Sequence, residues 1–139
     1  MDDTQTLRNI LEQTRVIAVV GLSANPQRPS HSVAQYLLAN GYQIIPVNPA
    51  YNEVLGQKCY ASLTDIPQPV DMVDCFRRST EILPIAEAAI AIGAKTLWMQ
   101  IGVVNEAAAE KARAAGLQVV MDRCIKIDHA RLCRGVKHS

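Results

Sequence analysis

The run Val16-Ile17-Ala18-Val19-Val20, followed at once by Gly21, Leu22 and Ser23, constrains this chain more than any other stretch. A continuous apolar, mostly β-branched run suits a central parallel strand buried on both faces. Glycine and small polar residues then lead toward a helix. Parallel α/β sheets use that strand–loop–helix arrangement to present main-chain N–H groups to a phosphate.

The rest of the chain repeats the pattern. Leu7, Ile10 and Leu11 give residues 4–13 the spacing of a short amphipathic helix. Leu22 to Pro29 reads as a loop, and Ser30 or Ser32 as the cap of a helix that carries Val33, Ala34, Leu37 and Leu38 and stops at Gly41. Tyr42 to Val47 is a second strand, turned by Asn48-Pro49. Residues 56–69 hold at most a short strand and a helical turn. Asp71 to Phe76 is a third strand, and Ser79 is placed to cap a helix through Ile92 in which Pro84 falls early. Thr96 to Gln100 is a fourth strand, Asn105 caps an alanine-rich helix through Ala115, and Gln118 to Asp122 is a fifth. Strands and helices alternating with short links predict an α/β, Rossmann-like, doubly wound parallel sheet in one domain spanning residues 1–139. The expected order of the five main strands is 3-2-1-4-5, with the loops after strands one and four flanking the ligand crevice. Residues 1–14 form an N-terminal helix and 123–139 a tail of mixed character.

Composition narrows the function. With 139 residues, 49% of them hydrophobic, the chain is long enough for a core without staples. A net charge of +1 gives no bulk attraction to nucleic acid or to an anionic membrane, so any anion site is local. No apolar run reaches the ~18 residues of a membrane span, and the N-terminus lacks a secretory signal. Cys59, Cys75, Cys124 and Cys133 lack metal spacing, so no metal is expected, and free thiols in a reducing cytoplasm are.

The sheet's carboxyl edge supplies the candidate ligand contacts. Gly21, Leu22 and Ser23 lack the G-x-G-x-x-G fingerprint, and Asn48-Pro49 stands where a dinucleotide's ribose needs an acid. Both disfavour NAD. Arg77 and Arg78 follow strand three, and Arg28 lies in the first loop with Asn25; a guanidinium fork suits phosphate oxygens, although each arginine also reads as a solvated surface charge. Gln100 is placed to bond an amide or a phosphate, and Gly102 permits close approach of a ligand chain. Trp98 and Met99 read as core or interface. Phe76 either shapes the crevice or packs in the core.

Taken together, Val19-Val20-Gly21-Leu22-Ser23, Arg28-Pro29-Ser30, Ile45-Pro46-Val47-Asn48-Pro49, Val73-Asp74-Cys75-Phe76-Arg77-Arg78-Ser79, the stretch from Ala91 to Val103 and Val119-Val120-Met121-Asp122-Arg123-Cys124 resemble the small bacterial and archaeal CoA-binding protein family. That family is similar to the CoA-binding domain of the succinyl-CoA synthetase α-subunit. The resemblance runs from Arg15 to Leu132 and implies a CoA or acyl-CoA ligand. It implies a diphosphate over Gly21 to Ser23 and the helix opened by Ser30. It sets the adenosine end near Asn48, Pro49, Phe76 and Arg77, and the pantetheine arm toward Gln100 and Gly102. Ala50 and Ser32 stand where similar proteins often carry a cation, and Ile125 where many carry proline.

No catalytic set emerges. His31 reads as a polar surface residue, and a phosphohistidine role would need a ligase region beyond this chain. Cys124 reads as an inert packed thiol or as one able to exchange with the thiol of CoA. Asp122 and Arg123 read as a structural pair. The leading expectation is a non-enzymatic CoA binder acting as sensor, carrier or regulator, with a protein partner left open. The alternative is a small NAD(P)-dependent oxidoreductase or the nucleotide-binding component of an acyl-CoA ligase.

Overall fold

A computed structural model describes residues 3–133. Five parallel strands form one sheet: β1 (Val16–Val20), β2 (Gln43–Val47), β5 (Met72–Cys75), β6 (Thr96–Met99) and β7 (Gln118–Val120). A two-stranded hairpin, β3 (Glu53–Val54) with β4 (Gln57–Lys58), forms a separate ladder beside β2. Five α-helices accompany them among the described residues: α1 (Asp3–Gln13), α2 (Pro29–Ala39), α3 (Ile82–Ala91), α4 (Glu106–Ala114) and α5 (Ile125–Leu132). The α5 helix occupies part of the mixed tail; the expectation for residues 134–139 lies outside the described residues.

The fold class is the expected one, but the strand order is not. The sheet runs β2-β1-β5-β6-β7, so the five main strands stand in the order 2-1-3-4-5 rather than 3-2-1-4-5. Pro46 is the physical reason. It lacks the N–H of a ladder residue, which favours an edge strand over a central one. The outer side of β2 is met by an isolated bridge from Val47 to Tyr60, with the Tyr60 N–H donating to the Pro46 carbonyl at 3.0 Å. The chain then crosses β1 to lay β5 on its free side, pairing Ile17 with Met72 and Val20 with Cys75. The switch point therefore falls between β1 and β5, not between the first and fourth strands.

Strand alternation divides the core in two. Ala18, Val73, Cys75, Leu97 and Met99 face one layer with Ala86 and Ala89 of α3 and Ala108 and Ala112 of α4. Ile17, Val19, Met72 and Trp98 face the other, with Leu7 and Leu11 of α1, Val33 and Leu37 of α2, and Ile125 of α5. Small alanines let α3 and α4 lie close to the sheet; larger side chains fill the opposite layer. The Trp98 indole N–H donates to the Arg123 carbonyl at 2.8 Å, so the buried ring keeps a polar partner. His129, also buried, meets Tyr36 and Tyr42 edge-on at 5.5 and 5.6 Å.

Two helix starts differ from expectation. Pro29 is the first residue of α2, its fixed φ already helical, and extended Arg28 is the N-cap. Ser30 and Ser32 therefore lie inside the first turn and do not cap it. Ser79 does not cap α3 either. It opens a short 3₁₀ turn (Ser79–Glu81), accepts the Val104 N–H at 3.0 Å and donates to the Gly102 carbonyl at 3.4 Å. Asn105 caps α4 as expected, accepting from the Ala108 N–H at 2.9 Å.

Candidate functional site

The carboxyl ends of β1, β5 and β6 surround a cleft of about 760 Å³. Its walls come from four places. Pro29 and Val33 stand on α2. Phe76, Arg77, Arg78 and Glu81 follow β5. Gln100, Ile101 and Val103 follow β6, and Cys124 closes the far side before α5. The centre is apolar and the charges stand at the rim, a division usual for pockets that take a largely organic ligand with an ionic end. A second hollow of about 700 Å³ lies between α1 and the edge strand β7 and shares none of these residues.

Gly21 fixes how the first loop enters the site. Its φ of +89° lies where only glycine is at ease, and a Cβ there would collide with the Phe76 carbonyl oxygen and meet Arg77 Nε at 3.3 Å. The loops after β1 and β5 therefore touch only because this residue lacks a side chain. Beyond Gly21 the loop is largely self-bonded. The Ser23 N–H donates to Ser30 Oγ at 3.0 Å, the Asn25 N–H to Ser23 Oγ at 3.0 Å, and the Gln27 N–H to Asn25 Oδ1 at 2.9 Å. The Arg28 N–H donates to the Asn25 carbonyl. The N–H groups of Leu22, Ala24 and Ser30 have no acceptor among the described residues. They are the loop's remaining anion donors.

The expected site residues thus separate. Phe76, Arg77, Arg78 and Gln100 line the cleft together. Gly21, Ser23, Asn25, Arg28 and Ser30 form the loop at its side, where Ser30 is buried and holds the loop rather than facing outward. Leu22 offers only its backbone, since its side chain is fully buried in the core. Asn48 joins the ends of β1 and β2: Nδ2 donates to the Leu22 carbonyl at 3.2 Å and Oδ1 accepts from the Ala50 N–H at 2.9 Å, while Pro49 is exposed beside it. Gly102 stands exposed beyond the lining, its N–H donating to Asp122 Oδ1 at 2.7 Å.

The Asp122–Arg123 pairing expected from sequence does not occur. Asp122 is occupied by Gly102, and Arg123 forks onto buried Asp128 at 2.7 and 2.9 Å, with Arg131 adding a contact at 3.4 Å. Asp128, in the first turn of α5, meets Arg123, which lies two residues before the helix.

Electrostatics favour an anion at the rim. Arg28, Arg77 and Arg78 form no ion pair among the described residues, so no protein carboxylate competes for them. Glu81 is the one opposing charge in the cleft lining. No cluster of metal ligands occurs among the described residues.

Sequence reasoning missed several participants. Pro29, Val33, Glu81, Ile101 and Val103 line the cleft, and their apolar or surface character gave no signal. Asp74 was read only as part of a motif. It is fully buried two residues before Phe76, both carboxyl oxygens lack a hydrogen-bond partner among the described residues, and burial pushes its pKa well above the usual carboxylate range. A lone acid inside the apolar strand Met72–Cys75 was the available sign. His31 Nδ1 is likewise buried without a partner at the start of α2.

Comparison with known proteins agrees with this architecture. The Bacillus subtilis (strain 168) protein YneT is 44% identical over 124 residues, 89% of this chain and 92% of its own length. A solved Pyrococcus horikoshii OT3 protein superposes with a TM-score of 0.91 at 43% identity, covering 94% of this chain and 92% of that one. The ADP-forming acetate–CoA ligase I of Archaeoglobus fulgidus is 25% identical over 139 residues, 90% of this chain but only 20% of the ligase. The family model for the CoA binding domain matches residues 15–130, and the chain belongs to that family.

Proposed function

We propose that this chain binds CoA or a short acyl-CoA in the cleft at the ends of β1, β5 and β6, and that it does so as a stoichiometric binder without turnover. The observation that carries the reading is the cleft itself: open, apolar within, and rimmed by Arg77 and Arg78, which form no ion pair among the described residues. Those guanidinium groups suit phosphate oxygens, which they meet with paired N–H donors. The free N–H groups of Leu22, Ala24 and Ser30 suit the diphosphate, and the half-buried Phe76 ring offers a face to the adenine. Val33, Ile101 and Val103 suit the pantetheine arm. Family membership and the partial match to an acetate–CoA ligase support CoA over NAD, as does Asn48 in the position where NAD needs an acid.

The absence of turnover rests on the side chains at hand. The cleft lining holds no histidine and no pair of carboxylates, only Glu81. Calorimetric titration with CoA, dephospho-CoA, NAD and AMP tests the reading. CoA is expected to bind most tightly, and dephospho-CoA more weakly if an arginine meets the 3′-phosphate. Tight NAD binding with none for CoA would overturn the assignment.

A further inference from the structure

The cleft also contains a thiol that CoA binding alone leaves without a task, and an amide donor tied to the backbone beside it. Cys59, Cys75 and Cys133 are buried, whereas Cys124 is half-exposed and lines the cleft. Although it is the N-cap of α5, its sulfur makes no capping hydrogen bond. Gln100 lines the same cleft and is only 5% exposed. Its Oε1 accepts from the N–H of Ile125, the residue after Cys124, at 3.3 Å. That bond fixes the amide's orientation and ties Gln100 to the backbone beside the thiol. It leaves the Gln100 Nε2 with no acceptor among the described residues, and that nitrogen is not among the fully enclosed orphan atoms. A buried N–H₂ that opens on a cavity calls for an acceptor from the ligand, because leaving it unmet costs binding. At the reactive end of the ligand, beside Cys124, the thiol of free CoA accepts hydrogen bonds weakly, whereas a thioester carbonyl accepts them well. Val33, Ile101 and Val103 supply apolar walls for a short acyl chain.

We propose that Cys124 takes the acyl group from a short-chain acyl-CoA held in the cleft, with Gln100 Nε2 donating to the thioester carbonyl. This inference rests on the CoA reading and extends it. The Cys124 sulfur forms a bond to the acyl carbon, the bond from that carbon to the CoA sulfur breaks, and the thiol proton ends on the departing CoA sulfur. Thioester replaces thioester, so no oxidant or reductant is needed. The product is one S-acyl cysteine per chain and free CoA, a loading step rather than turnover. As negative charge develops on the carbonyl oxygen, the anchored amide stabilises it more than it stabilises the ground state.

Acetyl-CoA is the probe, and intact-mass spectrometry with peptide mapping is the readout, run beside calorimetry with CoA on the same preparation. One acetyl group is expected on Cys124, removable by neutral hydroxylamine and absent in Cys124→Ser. Gln100→Leu should slow loading by about a hundredfold or more at saturating acetyl-CoA, the size expected for losing one such donor. CoA binding without an acetyl adduct overturns this inference and leaves the CoA reading standing. An adduct on a buried cysteine, or labelling of Cys124 just as fast in denaturant, also overturns it. Absence of CoA binding removes both.

Discussion

Gly21 and Asp74 show how much rests on single residues. At Gly21 an added methyl meets both an unfavourable φ of +89° and the Phe76 carbonyl. Gly21→Ala should therefore lower the unfolding free energy by about 2 kcal/mol, measured by urea denaturation. Asp74 makes a different prediction. Burial raises the pKa of its carboxyl well above the carboxylate range in the native state, while the unfolded chain releases the proton above the ordinary value near 4. Above that pH the unfolded state binds fewer protons, so stability falls as pH rises, by up to ~1.4 kcal/mol per pH unit, until the native carboxyl itself ionises. Asp74→Asn should flatten this slope in urea unfolding as pH rises above the ordinary carboxylate range. Parallel pH profiles for the two proteins would show that Asp74 is not neutral in the native state. The sequence made Phe76, Arg77, Arg78 and Gln100 legible because strand ends in a parallel sheet face the ligand edge. It left Asp74 and the cleft's apolar walls unread, because burial and cavity lining depend on what packs from other elements.

At the scale of elements, the loops matter more than the helices they join. Ser79 looked like a helix cap because serine before an apolar helical run usually is one. The 3₁₀ turn displaces the helix start to Ile82 and frees the hydroxyl to hold the loop after β6 through Gly102 and Val104. Ser79→Ala should leave helix content unchanged by circular dichroism yet weaken CoA binding by about 1 kcal/mol, the usual worth of a hydrogen bond, because that loop carries Ile101 and Val103 into the cleft. Equal loss of stability and affinity would argue against such a local role. Asn105 serves both ends of the same junction: Oδ1 caps α4 and Nδ2 donates to the Ser79 carbonyl at 2.8 Å. Its replacement by alanine should cost about 1 to 2 kcal/mol of stability. The α4 cap was readable because it is local in sequence; the tie to Ser79 was not, because it joins residues 26 apart.

For the molecule as a whole, periodicity and turn residues disclosed the alternating strands and helices, and hence the layered α/β class. They did not disclose the order, although Pro46 carried the necessary hint that β2 belongs at an edge. The corrected order brings β5 beside β1, and so brings Phe76 and Arg77 against Gly21. A ligand that occupies this junction binds only the folded chain. CoA at 100 times its dissociation constant should therefore raise the unfolding free energy by about 2.7 kcal/mol, visible as a concentration-dependent rise in Tm. A Tm indifferent to CoA would deny that the ligand uses the native cleft. The packing of Trp98 has a practical corollary. It is the chain's single tryptophan, it stands two positions below Gln100 on β6, and its indole N–H is bonded to the backbone next to Cys124. Its fluorescence is thus an internal optical gauge: any ligand that shifts the 123–124 backbone will alter the emission colour without a dye or a tag.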